Sequence, residues 1–126
     1  MLSDIRKGYL RLLEDEDGLQ CVFAFLAEGD PVYDRIEGAW LNSLPHAAVH
    51  RVASAGKKKG ILRECMRYCA ALSPNLKIDT HEDNKIMQHQ LEKEGFSFCG
   101  TVFLANGEKR IAYQRTLTAD EPSGKG

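Results

Sequence analysis

The chain has 126 residues, of which 43% are hydrophobic and 28% are charged, as is usual for a single globular domain. Its formal net charge of -1 at pH 7 argues against general nucleic-acid binding, which favours a basic surface. No apolar run approaches the length of a membrane span, and no signal-peptide pattern opens the chain. We therefore expect a cytoplasmic protein with no nucleic-acid or membrane partner.

The four cysteines stand at positions 21, 65, 69 and 99. Cys65 and Cys69 lie one helical turn apart within an apolar stripe, which is typical of buried, reduced thiols. None of the four histidines completes a zinc-like ligand set with them, so the sequence predicts no metal site.

The first part of the chain predicts strands followed by a long loop. Gly8 to Glu14 and Leu19 to Glu28 are rich in strand-forming residues, and the turn sequence Asp15 to Gly18 between them indicates a hairpin. Residues 29–46 predict a loop, and loops of this length often line a functional site. Ala47 to Ala53 predicts the third strand.

Two segments have helical periodicity. Ile61 to Leu72 places its apolar residues at spacings of three, four and seven, and Asn84 to Glu94 forms a second candidate helix. Asp83 is the expected N-cap of that second helix, and Gly95 is the expected glycine after its last turn. The residues expected on its inner face are Ile86, Met87, Gln90 and Leu91.

The remaining segments predict strands. Leu76 to Thr80 forms a short strand between the helices, and Phe98 to Ala105 and Glu108 to Thr116 flank the dipeptide Asn106-Gly107. That dipeptide between two strands is a strong hairpin signal. The predicted order is therefore β-β-β-α-β-α-β-β.

We expect one domain over residues 1–117 and a disordered polar tail over residues 118–126. The element order predicts an α+β fold, in which helices pack on a mixed, mostly antiparallel sheet.

A cluster of lysines lies where the third strand gives way to the first helix. Lys57, Lys58 and Lys59 stand between Gly56 and Gly60. Unpaired backbone N–H groups and the helix dipole make such a junction suitable for an anion, and the natural ligand is a phosphate or diphosphate. The alternative is a solvated basic turn. The segment matches neither the Walker A pattern nor the dinucleotide-binding glycine pattern.

The order and spacing of these motifs resemble the GNAT superfamily of N-acetyltransferases. The family's acetyl-CoA loop reads Gln/Arg-x-x-Gly-x-Gly/Ala, and Lys57, Gly60 and Leu62 occupy that frame. Asn84 and the run Leu91 to Phe96 match the family's next asparagine and its Gly-Phe helix end, and "FCGTVFLANGEKRIAYQ" resembles the final hairpin.

The resemblance covers about residues 8–116 and implies an acetyl-CoA-dependent N-acetyltransferase with a small-molecule or peptide amine as acceptor. The resemblance also implies which residues contact the coenzyme. The pantetheine arm would lie beside the backbone of Val52, Ala53 and Ser54 and would contact Asn84, and its thioester would lie near Met87 and Leu91. The diphosphate would be held by the loop residues Lys57, Lys58, Lys59, Gly60, Ile61 and Leu62.

The resemblance also implies a general base and a general acid. His50 is the candidate base on the third predicted strand, and Glu37 in the long loop is the other. The family's proton-donating tyrosine corresponds to Leu91, so Cys99 and Tyr113 are the substitutes for the acid. A thiolate can also leave unaided.

His81 and Asp83 are candidates for contact with the acceptor. Seven residues precede Gly8, where the family has a strand and two helices, and Ser3 to Gly8 is expected to be the end of the second of those helices. The edge of the Gly8–Glu14 strand would then be bare, which predicts a homodimer or an exchange of strands between chains.

Two functions from different classes remain open. One is the N-acetyltransferase, and the alternative is a non-catalytic remnant of the fold that binds acyl-CoA or a partner protein.

Overall fold

The computed structural model describes the backbone of residues 3–54 and 60–116, and the side chains of residues 8–50, 52–53 and 60–116. The predicted lysine cluster at residues 57–59 and the tail at 118–126 lie outside the described residues. In the described part of the chain, the elements are β1 (Ser3–Lys7), β2 (Leu10–Asp15), β3 (Gly18–Leu26), a 3-10 helix (Pro31–Asp34), β4 (Glu37–Gly38), β5 (Ala47–Ser54), α1 (Ile61–Leu72), β6 (Asn75–Thr80), α2 (Lys85–Lys93), β7 (Ser97–Phe103) and β8 (Lys109–Thr116).

The strands form one sheet in the order β1-β2-β3-β5-β6-β8-β7-β4. Strands β5 and β6 run parallel, and the other described pairs run antiparallel. The predicted α+β class with a mixed, mostly antiparallel sheet is therefore confirmed. The predicted strands and helices are all present, and β1 and the two-residue β4 are additional.

The start of the chain differs from the prediction. The expected end of a helix at Ser3 to Gly8 is wrong, because Ser3–Lys7 is a strand that pairs antiparallel with β2 from Ser3↔Glu14 to Lys7↔Leu10. The edge of β2, which the sequence suggested would be bare, is therefore covered. The homodimer stays a prediction, but this part of its rationale no longer applies.

The two helices cover one face of the sheet. Buried side chains of α1, including Cys65 and Met66, pack there against sheet residues such as Phe23 and Ile78. All four cysteines are free and buried, and this confirms the prediction for Cys65 and Cys69.

Helix α2 corrects two expectations. Asn84 and not Asp83 is its N-cap, because the Asn84 Oδ1 accepts a hydrogen bond from the Met87 N–H at 3.1 Å. Ile86 and Gln90 do not face the core, since both are exposed, the Ile86 side chain to 75%. Gly95 follows the helix with φ 91°, as expected of a glycine at that position.

The segment 29–46 covers the opposite face of the sheet. Tyr33 is fully buried there and packs with Ala48, Val102 and Ala112, and the ring of Trp40 contacts it edge-on at 5.4 Å between centroids. The segment was predicted as a loop, and it contains the 3-10 helix and β4. Its apolar side chains therefore complete a second, smaller core.

Buried amides hold the end of this segment in place. Gln114 donates from Nε2 to Asn75 Oδ1 at 2.6 Å, and its Oε1 accepts from the Leu41 N–H at 2.8 Å. Asn75 donates from Nδ2 to the Pro45 carbonyl at 2.9 Å. Because buried amides are costly when unpaired, this network fixes the path of residues 41–45 across the sheet.

Two glycines allow β4 to approach β7. A Cβ on Gly100 would collide with the Glu37 carbonyl oxygen, and a Cβ on Gly38 would collide with the backbone of Cys99. Gly100 also has φ 152°, a conformation that other residues avoid.

We expect Gly100→Ala to lower the free energy of unfolding by roughly 2 kcal/mol or more, through backbone strain and displacement of β4. Gly107→Ala is the matched control, because Gly107 has φ 86° but open space around its Cβ position, so it carries strain without the collision. Urea denaturation of both variants measures the difference. Equal losses would show that contact between β4 and β7 contributes nothing.

Candidate active site

Strands β5 and β6 separate after three residue pairs. Their parallel pairing runs from Ala47↔Leu76 to Val49↔Ile78 and ends there. Strand β5 continues to Ser54 against β3 on its other side, with a register shift between Val22 and Ala24. Beyond Val49, the side of β5 that faces β6 therefore has no partner strand in the described sheet, and its backbone N–H and C=O groups face the opening.

The first cleft lies beside this opening on the helix face. It has a volume of about 500 Å³. Its walls come from β3, β5, α2 and the start of α1, and the lining residues are Cys21, Val52, Gly60, Ile61, Leu62, Arg63, Met87, Gln90, Lys93 and Glu94.

Helix α1 begins beside this cleft, because Gly60, Ile61 and Leu62 are among the residues that line it. Its N-cap Gly60 has φ 79° and carries no side chain to accept a hydrogen bond from those amides. Unpaired amides at a helix N-terminus favour an anion. Arg63 of α1 and Lys93 of α2 add positive charge to the lining of the cleft, which also contains Glu94.

The predicted coenzyme residues that the structure describes fall into three groups. Those that line the first cleft are Val52, Gly60, Ile61, Leu62 and Met87. Ala53 and Ser54 complete β5 beside it. Leu91 is fully buried in the core, and the Asn84 side chain already caps α2, so neither is among the residues lining the cleft.

A second cleft lies on the opposite face of the sheet, under the segment 29–46. It has a volume of about 560 Å³. It also borders the opening, since His50 of β5 and Asp79 of β6 both line it. Its lining residues are Tyr9, Ala24, Leu26, Asp30, Val32, His50, Asp79, Thr80, Leu104 and Arg110.

Four polar side chains converge at this cleft. His50 Nε2 is 2.7 Å from Asp30 Oδ2, and His50 Nδ1 is 3.7 Å from Asp79 Oδ2. Tyr33 donates its hydroxyl to Asp79 Oδ2 at 2.6 Å, and the same hydroxyl is 3.5 Å from His50 Nδ1. His50 and Asp79 follow the last paired residues of their strands, so the separation of the strands brings both side chains to the opening.

Burial keeps the Tyr33 hydroxyl protonated. It raises the pKa of Tyr33 well above its ordinary value, and the negative charge and hydrogen-bond acceptance of Asp79 raise it further. Tyr33 is therefore a fixed hydrogen-bond donor to Asp79 over the physiological range.

Sequence reasoning identified His50 but missed Asp30, Tyr33 and Asp79. Asp30 also caps the 3-10 helix, since its Oδ1 accepts from the Val32 N–H at 2.9 Å. The sequence did contain a signal for Asp79, because it is a polar residue that directly follows the apolar start of a strand.

The other predicted catalytic residues lie elsewhere. Glu37 is exposed on β4 and lines a neighbouring cleft that shares Val32 and Leu104 with the second one. Cys99 and Tyr113 are buried, and burial raises the pKa of each. Neither is among the residues lining the three described clefts. Their catalytic roles stay predictions.

His81 and Asp83 form a local contact before α2. The Asp83 N–H donates to His81 Nδ1 at 3.0 Å, and both side chains are exposed. Within residues 3–54 and 60–116, no three potential metal ligands cluster closely enough to hold an ion. None of the helices that the structure describes has the length and apolar character needed to span a bilayer.

Comparison with known proteins gives matches among solved structures. A GNAT-family acetyltransferase from Streptococcus agalactiae is 32% identical with a TM-score of 0.78, and the match covers 88% of this chain and 66% of that one. A GNAT-family acetyltransferase from Listeria monocytogenes is 20% identical with a TM-score of 0.64 over 87% of this chain and 65% of that one, a likeness of fold alone. The sequence matches no family model and no curated protein.

The chain belongs to the GNAT family of acetyltransferases. The order of strands and helices and the cleft at the start of α1 agree with the resemblance found in the sequence. The chain spans slightly less than two thirds of the length of these two relatives, 66% and 65%.

Replacing Tyr33 tests the polar cluster. We expect Tyr33→Phe to lower the free energy of unfolding by roughly 2 kcal/mol, because the Asp79 carboxylate loses a buried charge-assisted hydrogen bond. Tyr113→Phe is the matched control, since Tyr113 is equally buried but has no described hydrogen bond from its hydroxyl. Chemical denaturation at pH 7 measures both, and equal losses would contradict the role given to Tyr33.

Protonation of His46 should destabilise the fold. Burial lowers the pKa of His46 below 6.5, and Lys77 lowers it further. As the pH falls, His46 therefore takes up a proton more readily in the unfolded chain than in the folded chain. The free energy of unfolding is at its full value above about pH 6.5 and decreases as the pH drops below it.

We expect His46→Leu to lose less stability than the wild type between pH 7 and pH 5. His89→Gln, on the exposed surface of α2, should keep the wild-type loss. Thermal unfolding at several pH values measures this, and an unchanged slope in His46→Leu would contradict it.

Proposed function

We propose that the chain is an acetyl-CoA-dependent N-acetyltransferase that modifies an amine. The observation that carries the proposal is the opening between β5 and β6, which has an anion-suited cleft on one face and a histidine–carboxylate cluster on the other. Two substrates can thus reach one point from opposite faces of the sheet. Membership of the GNAT family supports the same reaction.

The first cleft suits the coenzyme. Backbone groups of β5 from Val52 onward are free to pair with an amide-containing arm as an added strand would. The amides of Ile61 and Leu62 and the charges of Arg63 and Lys93 suit a diphosphate. Acetyl-CoA, when bound there, supplies the acetyl thioester.

The second cleft suits the amine. The carboxylates of Asp30 and Asp79 attract an ammonium group, and His50 removes its proton. Asp30 accepts from His50 Nε2 at 2.7 Å, which leaves Nδ1 as the proton acceptor and stabilises the imidazolium once it forms. Tyr33 holds Asp79 in place.

In the transfer, the neutral amine nitrogen forms a bond to the acetyl carbon, and the bond from that carbon to sulfur breaks. The nitrogen loses two protons in all: the ammonium proton goes to His50 before the attack, and the second goes to water as the amide forms. The sulfur leaves with the electron pair as thiolate, a modest base that needs no acid. This agrees with a fully buried Leu91 at the position where the family has a tyrosine.

Calorimetric titration with acetyl-CoA followed by an assay of CoA release with a panel of amines tests the proposal. We expect His50→Gln to lower kcat by about 100-fold or more while the Kd for acetyl-CoA stays unchanged. Asp30→Asn should lower kcat less and shift its pH profile. His89→Gln is the control histidine and should behave as the wild type.

Coenzyme binding with no turnover of any amine would instead support the non-catalytic, acyl-CoA-binding alternative. Absence of acetyl-CoA binding would overturn both. Equal kcat values in His50→Gln and the wild type would remove His50 from the reaction.

A further inference from the structure

The second cleft contains opposite charges at two separate places. Asp30 and Asp79 lie with His50 at the opening between the strands, and Arg110 lies on β8 in the same cleft. In the antiparallel pair β6–β8, Asp79 is directly opposite Ala112. Arg110 is two residues from Ala112, so it faces the same side of the sheet as Asp79.

Arg110 does not neutralise these carboxylates. Its carboxylate neighbour within 4 Å in the described structure is Glu108, at 3.7 Å between Nη2 and Oε1, and the Glu108 side chain is 56% exposed. One Arg110 N–H donates to the Lys109 carbonyl at 2.9 Å. A guanidinium has five N–H groups in a planar fork that fits a carboxylate, so this side chain has donors to spare for a ligand.

Four of the other residues that line this cleft are apolar. They are Ala24, Leu26, Val32 and Leu104. Asp79 and Arg110 are diagonal neighbours across two paired strands, which places their Cα atoms about 7 to 8 Å apart. A small molecule can therefore contact both groups at once.

We propose that the acceptor is a zwitterion, an amino acid with an apolar side chain, whose carboxylate binds Arg110 and whose ammonium group binds Asp79 and Asp30. This inference rests on the proposed acetyl transfer and assigns its acceptor class. Arg110 is then the residue that determines specificity, because an amine that has no carboxylate, such as a diamine, gives the guanidinium no anion to bind.

Two matched pairs of acceptors test this, L-methionine with L-methioninamide and L-leucine with L-leucinamide. The amide keeps the shape and the α-amino group but removes the negative charge. Its amine loses a proton more readily than that of the free amino acid, so a preference for the amino acid cannot come from amine basicity.

We expect kcat/KM for the amino acid to exceed that for its amide by about 100-fold in the wild type, the scale for a lost partner of a buried charge. Arg110→Met should reduce this ratio to within a few-fold, and Arg110→Lys should retain part of it. Arg115→Met is the matched control, since Arg115 is on the opposite face of β8, and it should keep the wild-type ratio.

Direct binding separates this inference from the proposed reaction. With saturating acetyl-CoA analogue that cannot react, L-methionine should shift the NMR signals of the His50 ring, and L-methioninamide should shift them only at much higher concentration. Loss of that difference in Arg110→Met supports the assignment even if no acceptor turns over. Equal shifts or equal kcat/KM for acid and amide in the wild type would overturn the zwitterion and leave acetyl transfer standing.

Discussion

The parting of β5 and β6 is the feature on which the rest of the site depends. Two parallel strands that stay paired would satisfy each other's backbone groups and close the sheet. Here the pairing ends at Val49↔Ile78, and the register of β5 with β3 shifts over the next residues, between Val22 and Ala24, as at a β-bulge. An opening within a sheet leaves strand backbone available to a ligand from one face and places the next side chains, His50 and Asp79, at the other.

The opening can exist because both faces of the sheet are covered independently. Helices α1 and α2 pack on one face, and the segment 29–46 packs on the other with Tyr33 as its buried anchor. The amides of Gln114 and Asn75 and the contact between β4 and β7 hold that segment in place. The segment therefore places Asp30 beside His50 and gives this histidine of β5 a hydrogen-bond partner.

The sequence predicted most of the fold because local patterns determine it. The helix Ile61–Leu72 was predicted to the residue, since its periodicity is clear and Ser73-Pro74 stops it. Strand β1 was missed because Ser3–Lys7 has one apolar side chain, Ile5, and forms through pairing with β2. Asp83 and Asn84 are adjacent and equally good caps, so only the structure could choose between them.

The candidate site was less predictable because it depends on contacts between distant parts of the chain. His50 and Asp79 meet through a parallel pairing, and Tyr33 meets both through the packing of the segment 29–46. No local pattern contains that information. The lining of the first cleft was easier to predict, since Gly60 and Ile61 adjoin in sequence at the start of a helix.

The chemistry of the second cleft contains an internal conflict that its geometry resolves. Carboxylates at Asp30 and Asp79 attract an ammonium group, but the same charges raise the pKa of a bound ammonium and oppose the loss of its proton. A neutral nucleophile therefore requires a proton acceptor in direct contact with both carboxylates, so that the positive charge moves to the acceptor without leaving their field. His50 satisfies this condition, at 2.7 Å from Asp30 and 3.7 Å from Asp79. The site holds one positive charge before the proton moves, on the ammonium group, and one afterwards, on the His50 imidazolium. Because this charge stays constant, most of the electrostatic cost of deprotonating the amine in a partly buried site is removed.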